Sequence, residues 1–498
     1  MSQTEVPDLL RLQTIPANLQ QNVETDLLEV STYQESTATT TGFARFDLQK
    51  KGWLHSHSKL FVGLVPPDAQ VTTCIMPPTI GIGSVIQRAV LKIGNQVLNE
   101  ISDWNHLQQI KSAQINNETQ LAREQYTTGR CMATEFVFRK LDAIAVAAEQ
   151  NTQKSPVEAL KYGLSNGRDY GLGTAAAASV GENMEGVNLD PLPVSEMKGN
   201  AKAESPVYSV DLSDLFPFLK THNLPLYMID QQLSIELHWA PLRNQRVVVN
   251  DNAHLDYPID RNELKFCADY VFYTDSDLMT RYAEANPRLE FSFPDYRLSK
   301  QSVSHTQLAE GIVANLGMAN RLCSRVITSV ERPKDAAQPG GFSDFAILGP
   351  YNSVCPDKTG AANQSTGEVE FNIRYNDRFE FPTSIKNKAR LFSHYTQNEG
   401  LLYVTRDAYS RDGNGGYTEF NFMGSHVQSD ATHGIPGRQW YLSTRLTNGR
   451  VGVRGIELHY KAQAMTDITA IGTYTLRSYV EYSRLALLEN GLMSILNA

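Results

Sequence analysis

Apolar and polar residues alternate along many short segments of this 498-residue chain, and this period of two is its dominant pattern. A strand with this period buries one face and exposes the other to water, as in antiparallel sandwiches. The side chains predicted to face inward are Leu233, Ile235, Leu237 and Trp239 in one segment and Val369, Phe371, Ile373 and Tyr375 in another.

Glycine-rich turn clusters such as Asp412-Gly-Asn-Gly-Gly416 separate these segments, and helical patterns are few and short. The sequence therefore predicts an all-β protein. One helix is predicted after Ser102 or Asp103 and another after Asp275, with one or two helical turns within residues 212–219. The inward side chains of the first two are Trp104, Leu107 and Ile110, and Leu278, Met279 and Tyr282.

A break near Asn286-Pro287 divides the chain into halves of about 250 and 210 residues, each a suitable length for one β-sandwich with insertions. Residues 1–35 contain scattered leucines without a strand period, which predicts an N-terminal arm that docks on another surface. Residues 145–205 are rich in small and polar residues and are predicted to form a long insertion loop.

The charge balance and the cysteines exclude several classes of protein. Lys and Arg number 45 against 54 Asp and Glu, a formal net charge of −9, which disfavours sequence-independent nucleic-acid binding. No apolar run approaches the ~20 residues of a membrane helix, and no basic and apolar leader is present, so we expect neither a membrane span nor a secretory signal. The five scattered cysteines, Cys74, Cys131, Cys267, Cys323 and Cys355, are typical of buried thiols in a reducing compartment.

Three segments resemble ligand sites, but each lacks a required part. His55 and His57 would share one strand face, as some metal ligands do, yet no acidic or cysteine ligand lies near them in sequence. The segment 412–419 lacks the residue order of a calcium loop, and 80–84 lacks the third glycine of a phosphate loop. We therefore predict no metal site and no cofactor site.

The enzymatic alternative is a glycan-active β-sandwich hydrolase, or a lectin of similar architecture. Glycoside hydrolysis requires two converging carboxylates, and Glu368 and Glu370 would share one strand face. His394, His426 and His433 lie in the glycine-rich C-terminal third and are further candidates. The chain contains no recognisable nucleophile, metalloprotease or nucleotide-binding motif, so we predict no catalytic residue and no enzyme.

Several blocks, in their order along the chain, resemble one protein family. They include Pro77 to Gly94, Asp103-Trp-Asn-His106, Val210 to Leu219, Ala268-Asp-Tyr-Val-Phe-Tyr273 and Arg477 to Leu485. Together they are similar to the double jelly-roll major capsid proteins of polinton-like viruses and virophages, relatives of those of adenovirus and large DNA viruses. The resemblance covers roughly residues 40–490 and consists of strand and turn signatures.

This resemblance implies two tandem eight-stranded jelly rolls with a few short helices and long loops, at residues 36–286 and 287–498. It further implies trimeric, pseudo-hexameric capsomers that tile the icosahedral shell of a DNA virus. The expected partners are other copies of the chain, penton proteins and minor capsid or cement proteins. No sequence-specific nucleic-acid binding is expected, and the expected location is the virion, which is assembled inside the host cell.

Overall fold

The structure is a computed structural model. It describes residues 23–32, 34–36, 42–64, 74–75, 81–113, 123–124, 127–128, 207–240, 249–250, 259–331, 347–348, 369–386, 390, 393–394, 397–398, 442–447, 449–462 and 474–497. The predicted insertion 145–205 and the glycine-rich segment 412–419 lie outside these residues.

The first half of the chain contains thirteen described strands in antiparallel sheets. They are β1 (Val23–Val30), β2 (Gln34–Ser36), β3 (Phe43–Asp47), β4 (Trp53–Leu54), β5 (Lys59–Leu64), β6 (Cys74–Ile75), β7 (Ile86–Ile93), β8 (Gln96–Ser102), β9 (Val207–Asp211), β10 (Leu224–Pro225), β11 (Leu233–Trp239), β12 (Val249–Asn250) and β13 (Ile259–Tyr273). One sheet orders its main strands β1-β13-β5-β9. In the same sheet, β4 also pairs with β13, and β10 pairs with β4. A second sheet orders its strands β2-β3-β11-β7-β8, and β6 and β12 pair with each other in a third.

The second half contains ten described strands. They are β14 (Arg288–Val303), β15 (Ile312–Gly317), β16 (Cys323–Glu331), β17 (Ile347–Leu348), β18 (Val369–Tyr375), β19 (Arg378–Phe379), β20 (Leu442–Arg445), β21 (Ile456–Ala462), β22 (Tyr474–Glu489) and β23 (Leu492–Asn497). One sheet has the order β14-β22-β16, with β20 and β17 beyond β16 and β23 beside β22. The other has the order β15-β21-β18-β19.

Both halves have the same topology. If the eight main strands of each half are numbered along the chain, one sheet has the order 1-8-3-6 and the other has the order 2-7-4-5. Two Greek keys arranged in this way form a jelly roll. The predicted fold, two tandem eight-stranded jelly rolls, is therefore confirmed by the strand order.

The predicted inward-facing side chains form the cores. Ile235 and Leu237 have no exposed area, and Phe371 and Ile373 are 1% exposed, while Val369 has no described side chain. In the first roll the rings of Phe46 (β3) and Phe266 (β13) lie 5.9 Å apart and join the two sheets. The faces predicted to point inward are therefore buried, but Ser234 and Asn372 on the opposite faces are buried as well.

Five described α-helices connect these strands: α1 (Trp104–Ala113), α2 (Leu212–Leu215), α3 (Pro217–Thr221), α4 (Ser276–Ala285) and α5 (His305–Glu310). The first four are those that the sequence predicts. The carboxylate of Asp275 caps α4 by accepting a hydrogen bond from the Asp277 amide, and Asn286 ends that helix. In α1, Trp104, Leu107 and Ile110 are buried, as predicted.

The prediction that residues 1–35 form an arm is wrong for its described part. Residues Val23–Val30 form β1, which pairs with β13 from Tyr273 to Phe266. The period of two is obscured because most of its side chains are acidic or partly exposed, as is common at a sheet edge. Residues 1–22 lie outside the described residues.

Candidate functional site: the interface between the two jelly rolls

A long two-stranded ribbon belongs to the cores of both jelly rolls. Strands β14 and β22 pair over their entire length, with Arg288 opposite Glu489 and Val303 opposite Tyr474. Residues two apart in a strand share a face. On one face of the ribbon, Val303, Leu476 and Val480 pack in the second core, and Leu289, Phe291, Ala486 and Leu488 pack in the first core. The cores of the two rolls therefore share strands β14 and β22.

Aromatic side chains pack against the end of this ribbon at which Arg288 pairs with Glu489. Phe218 of α3 meets Phe291 and Phe293 edge to face, with ring centroids 5.7 and 4.9 Å apart. The ring Nε2 of His222 lies 2.8 Å from the carbonyl oxygen of Ser292. Edge-to-face pairs add about 1 kcal/mol each to the energy of burial, so this cluster stabilises the joint between the rolls.

A buried ion pair lies further along the ribbon, on its other face. The Nε and Nη2 atoms of Arg477 donate to Oδ2 of Asp103 at 3.2 and 3.0 Å, and Arg477 is only 2% exposed. Tyr479 donates its hydroxyl hydrogen to the Asp103 carbonyl at 2.8 Å, and Lys300 lies 3.4 Å from the carboxylate. Burial alone would raise the pKa of Asp103, but Arg477, His106 and Lys300 together outweigh it and hold that pKa below its ordinary value.

A second buried carboxylate, Asp295, joins the rolls at the middle of the ribbon. Arg484 donates from Nη1 to Asp295 Oδ2 at 2.7 Å, and Tyr482 donates to the same oxygen at 3.1 Å. From the first roll, Asn99 donates to Asp295 Oδ1 at 2.7 Å, and the Leu98 carbonyl accepts from Arg484 at 3.2 Å. This network fixes both rolls to one register because its donors come from both.

The turn before β11 contacts the last described hairpin. The Asp230 amide donates to the Gly491 carbonyl at 2.8 Å, and the Met493 amide donates to Oε1 of Gln231 at 3.2 Å. Met493 is 2% exposed and belongs to the first core. The interface therefore consists of β8, α1, α3 and this turn from the first roll, against β14, β22 and β23 from the second.

These groups join the two lobes through ion pairs and hydrogen bonds. Asp103 forms its ion pair with the buried Arg477, and Asp295 forms one with the partly buried Arg484, although burial still raises the pKa of Asp295. Removing one partner of such a pair leaves an uncompensated buried charge, which costs about 3–5 kcal/mol. The site therefore has a mechanical role, which is to hold the two rolls in one relative orientation.

The histidine pair of the first roll is at the surface. His55 and His57 have ring centroids 4.3 Å apart, and His55 Nδ1 accepts from the His57 amide and lies 3.8 Å from Asp269. Burial, with His57 nearby, lowers the pKa of His55, and Asp269 opposes that shift. Within the described part of the chain, no group of three or more His, Cys, Asp or Glu side chains is arranged to hold a metal ion.

The residues predicted for the enzymatic alternative do not converge in the described structure. Glu370 forms an ion pair with Lys386 at 3.2 Å. His394 is buried against Thr444 and Asn398, and burial lowers its pKa to about 4. Glu368, His426 and His433 lie outside the described residues. Cys267 and Cys323 are buried free thiols, as predicted for these two positions.

Sequence reasoning missed the residues of the interface. Asp103 was predicted only as a helix cap, but its carboxylate binds Arg477, which lies 374 residues further along the chain. One signal was present: the segment 476–482 has large side chains on both of its faces, namely Leu476, Val480 and Tyr482 on one and Arg477, Tyr479 and Glu481 on the other. In the structure this strand is covered on both sides, since Arg477, Ser478 and Tyr479 are buried as well as Leu476 and Val480.

The chain is thus a double jelly-roll protein whose two rolls are joined by a buried interface. It is similar to chains in solved structures of viral capsids. These include the quasi-atomic model of the PBCV-1 virus capsid (11% identity, 96% of this chain and 97% of that chain, TM-score 0.48). Another is the crystal structure of the mavirus major capsid protein (9% identity, 97% and 91%, TM-score 0.49). A third is the Sputnik virophage solved by cryo-EM (11% identity, 96% and 88%, TM-score 0.46).

No family model matches the chain, and no curated protein matches it. Among the described helices, none has the length and apolar composition that crossing a membrane requires.

Proposed function

We propose that this chain is a major capsid protein, which assembles as trimeric capsomers of pseudo-hexagonal outline that tile the icosahedral shell of a DNA virus. One observation carries the proposal: two jelly rolls of identical strand order are fixed side by side by a buried interface. Three such subunits in a closed ring present six similar lobes, which suits a hexagonal lattice. The protein would act in the virion, after assembly inside the host cell.

The proposal assigns no catalytic residue, no cofactor and no metal. The first roll would extend to residue 286 and the second would comprise residues 287–498. Residues 145–205 would form the outer surface of the capsomer or contact a neighbour. Residues 1–22 would contact adjacent capsomers or minor capsid proteins, and penton proteins would occupy the vertices.

The mass of the purified protein in solution tests the proposal. We expect a trimer of three times 55.5 kDa by light scattering, and hexagonal outlines or shells by negative-stain electron microscopy. A stable monomer at all concentrations that hydrolyses or retains polysaccharide would contradict the capsid role and favour the glycan-active alternative.

A further inference from the structure

The two jelly rolls repeat a short sequence at the same place in the fold. Their seventh strands, β11 and β21, both contain Ile-Glu-Leu-His, at residues 235–238 in the first roll and 456–459 in the second. In both rolls the leucine of this sequence lies opposite an alanine of the second strand, Ala44 of β3 or Ala314 of β15. The glutamate and the histidine have corresponding partners as well. Strand β15 is therefore the equivalent of β3, residue for residue.

The two equivalent strands differ in what covers their outer edge. In the first roll, β2 pairs with β3 along residues 43–45. The corresponding residues of β15 are 313–315, and within the described part of the chain they pair with β21 alone. The connection that leads into β15 contains the helix α5, whereas the connection that leads into β3 contains the strand β2. An edge strand left open in this way is a template for pairing with another chain.

The open part of this edge is short and has defined ends. Gly311, with a φ of +102°, leads the chain into β15. At the other end, the side chain of Asn315 accepts a hydrogen bond from the Gly317 amide at 2.8 Å, beside a β-bulge, so that amide is already satisfied. The three residues between these ends match the three that β2 covers on β3. None of them is charged or a proline, which commonly protect edge strands, and Val313 is 58% exposed.

The charges around the open edge indicate the chemistry of a partner. The guanidinium of Arg297 lies beside the last residue of β15, and the stem of Lys461 lies beside the glycine that precedes the strand. Both cations are exposed, and neither forms an ion pair with another described residue. Of the nearby anions, Glu457 already pairs with Arg374, and Glu310 is exposed. The edge therefore has one cation at each end and a net positive charge.

We propose that the open edge of β15 binds an extended, acidic segment of a partner protein by strand addition, in the position that β2 occupies on the first roll. Main-chain hydrogen bonds to residues 313–315 would provide affinity, and the segment would place an apolar side chain beside Val313. Its acidic side chains would pair with Arg297 and Lys461. The covering strand of the first roll, Gln34–Ser36, likewise contains an acid and no cation. The inference goes beyond the proposed function and does not depend on it, because the edge belongs to a single folded chain.

A labelled peptide tests the inference on the full-length protein. The probe is Glu-Thr-Thr-Thr-Val-Thr-Glu with a fluorescein label, whose acids match the two ends of β15 and whose valine would lie beside Val313. The matched control peptide has lysine in place of both glutamates. We expect saturable binding of the acidic peptide by fluorescence anisotropy, about tenfold tighter than that of the lysine peptide. Hydrogen exchange followed by mass spectrometry should show added protection at residues 312–316.

Three variants locate the binding. Val313→Glu places a like charge beside the acidic segment and should weaken binding about tenfold. Val207→Glu, at an exposed position on the edge strand β9 of the first roll, is the matched control and should leave binding unchanged. Arg297→Glu should reverse the preference between the two peptides. Near-ultraviolet circular dichroism checks folding, and if Val313→Glu is misfolded, Arg297→Glu decides.

Two kinds of result would overturn the inference. One is the absence of saturable binding of the acidic peptide, or binding that the lysine peptide matches or that Val313→Glu and Arg297→Glu leave unchanged. The other is association of the free chain with itself that Val313→Glu abolishes, which would assign the edge to a second copy of this chain in place of an acidic partner. Sedimentation velocity over a range of concentrations measures that association.

Discussion

Removing one partner of the buried ion pair between Asp103 and Arg477 should destabilise the protein far more than breaking an ion pair at the surface. In Arg477→Met, Asp103 keeps the favourable interactions with His106 and with Lys300, which lies at 3.4 Å with half its side chain exposed, so the carboxylate remains partly compensated. We expect a loss of about 3 kcal/mol in the free energy of unfolding. Asp103→Asn removes the carboxylate that accepts two hydrogen bonds from the buried guanidinium, and arginine cannot lose its proton, so we expect a loss closer to about 5 kcal/mol.

Asparagine is the least disruptive replacement for Asp103. The backbone φ of Asp103 is +48°, a left-handed conformation in which asparagine and aspartate are both enriched. A loss of stability in Asp103→Asn therefore reports the missing charge and not backbone strain. A domain of ordinary stability unfolds with about 5–15 kcal/mol, so either variant should be markedly less stable.

A double-mutant cycle with urea unfolding measures the coupling. Trp104 is adjacent to Asp103 and 2% exposed, so it should contribute, beside the other three tryptophans of the chain, to a fluorescence change when the interface opens. The double variant should lose less than the sum of the single variants, by about 2 kcal/mol or more. The control is Arg288→Met, which breaks an exposed 2.7 Å pair with Glu290 and should cost under about 1 kcal/mol. Single losses below about 1 kcal/mol, or additive ones, would refute the claim that this pair joins the rolls.

Three other outcomes are expected. Gly491→Ala should destabilise the last hairpin by about 1–3 kcal/mol, measured by thermal unfolding, because its φ is +78° and an added Cβ would overlap the Asp230 carboxylate; an unchanged melt would contradict this. Burial lowers the pKa of His394 to about 4, so as the pH falls the unfolded chain binds a proton at this residue before the folded chain does. The free energy of unfolding should therefore decrease from about pH 6.5 to 4, by up to about 3 kcal/mol. Urea titrations at several pH values should show a smaller decrease in His394→Asn. Ile235→Asp should abolish soluble folded protein because it buries an unpaired charge, whereas Val313→Asp should not; soluble Ile235→Asp protein with a native spectrum would show the core assignment to be wrong.

The strand faces were predictable from the sequence because side-chain alternation is a local property. The same holds for α4, whose cap at Asp275 and end at Asn286 are set by neighbouring residues. The contact between Asp103 and Arg477 was not predictable, since nothing near either residue specifies a partner 374 positions away. Strand β1 was missed for a different reason: an edge strand with acidic side chains lacks the hydrophobic period that identifies inner strands.

The ribbon shared by both cores has a consequence for synthesis of the chain. Leu488 and Met493 complete the first core, although most of that core comes from residues before 290. During translation, part of the apolar surface of the first roll therefore stays uncovered until some two hundred further residues have been synthesised. Such exposed surface is prone to aggregation before folding is complete. We expect the nascent chain to require a chaperone until β22 and β23 have emerged from the ribosome.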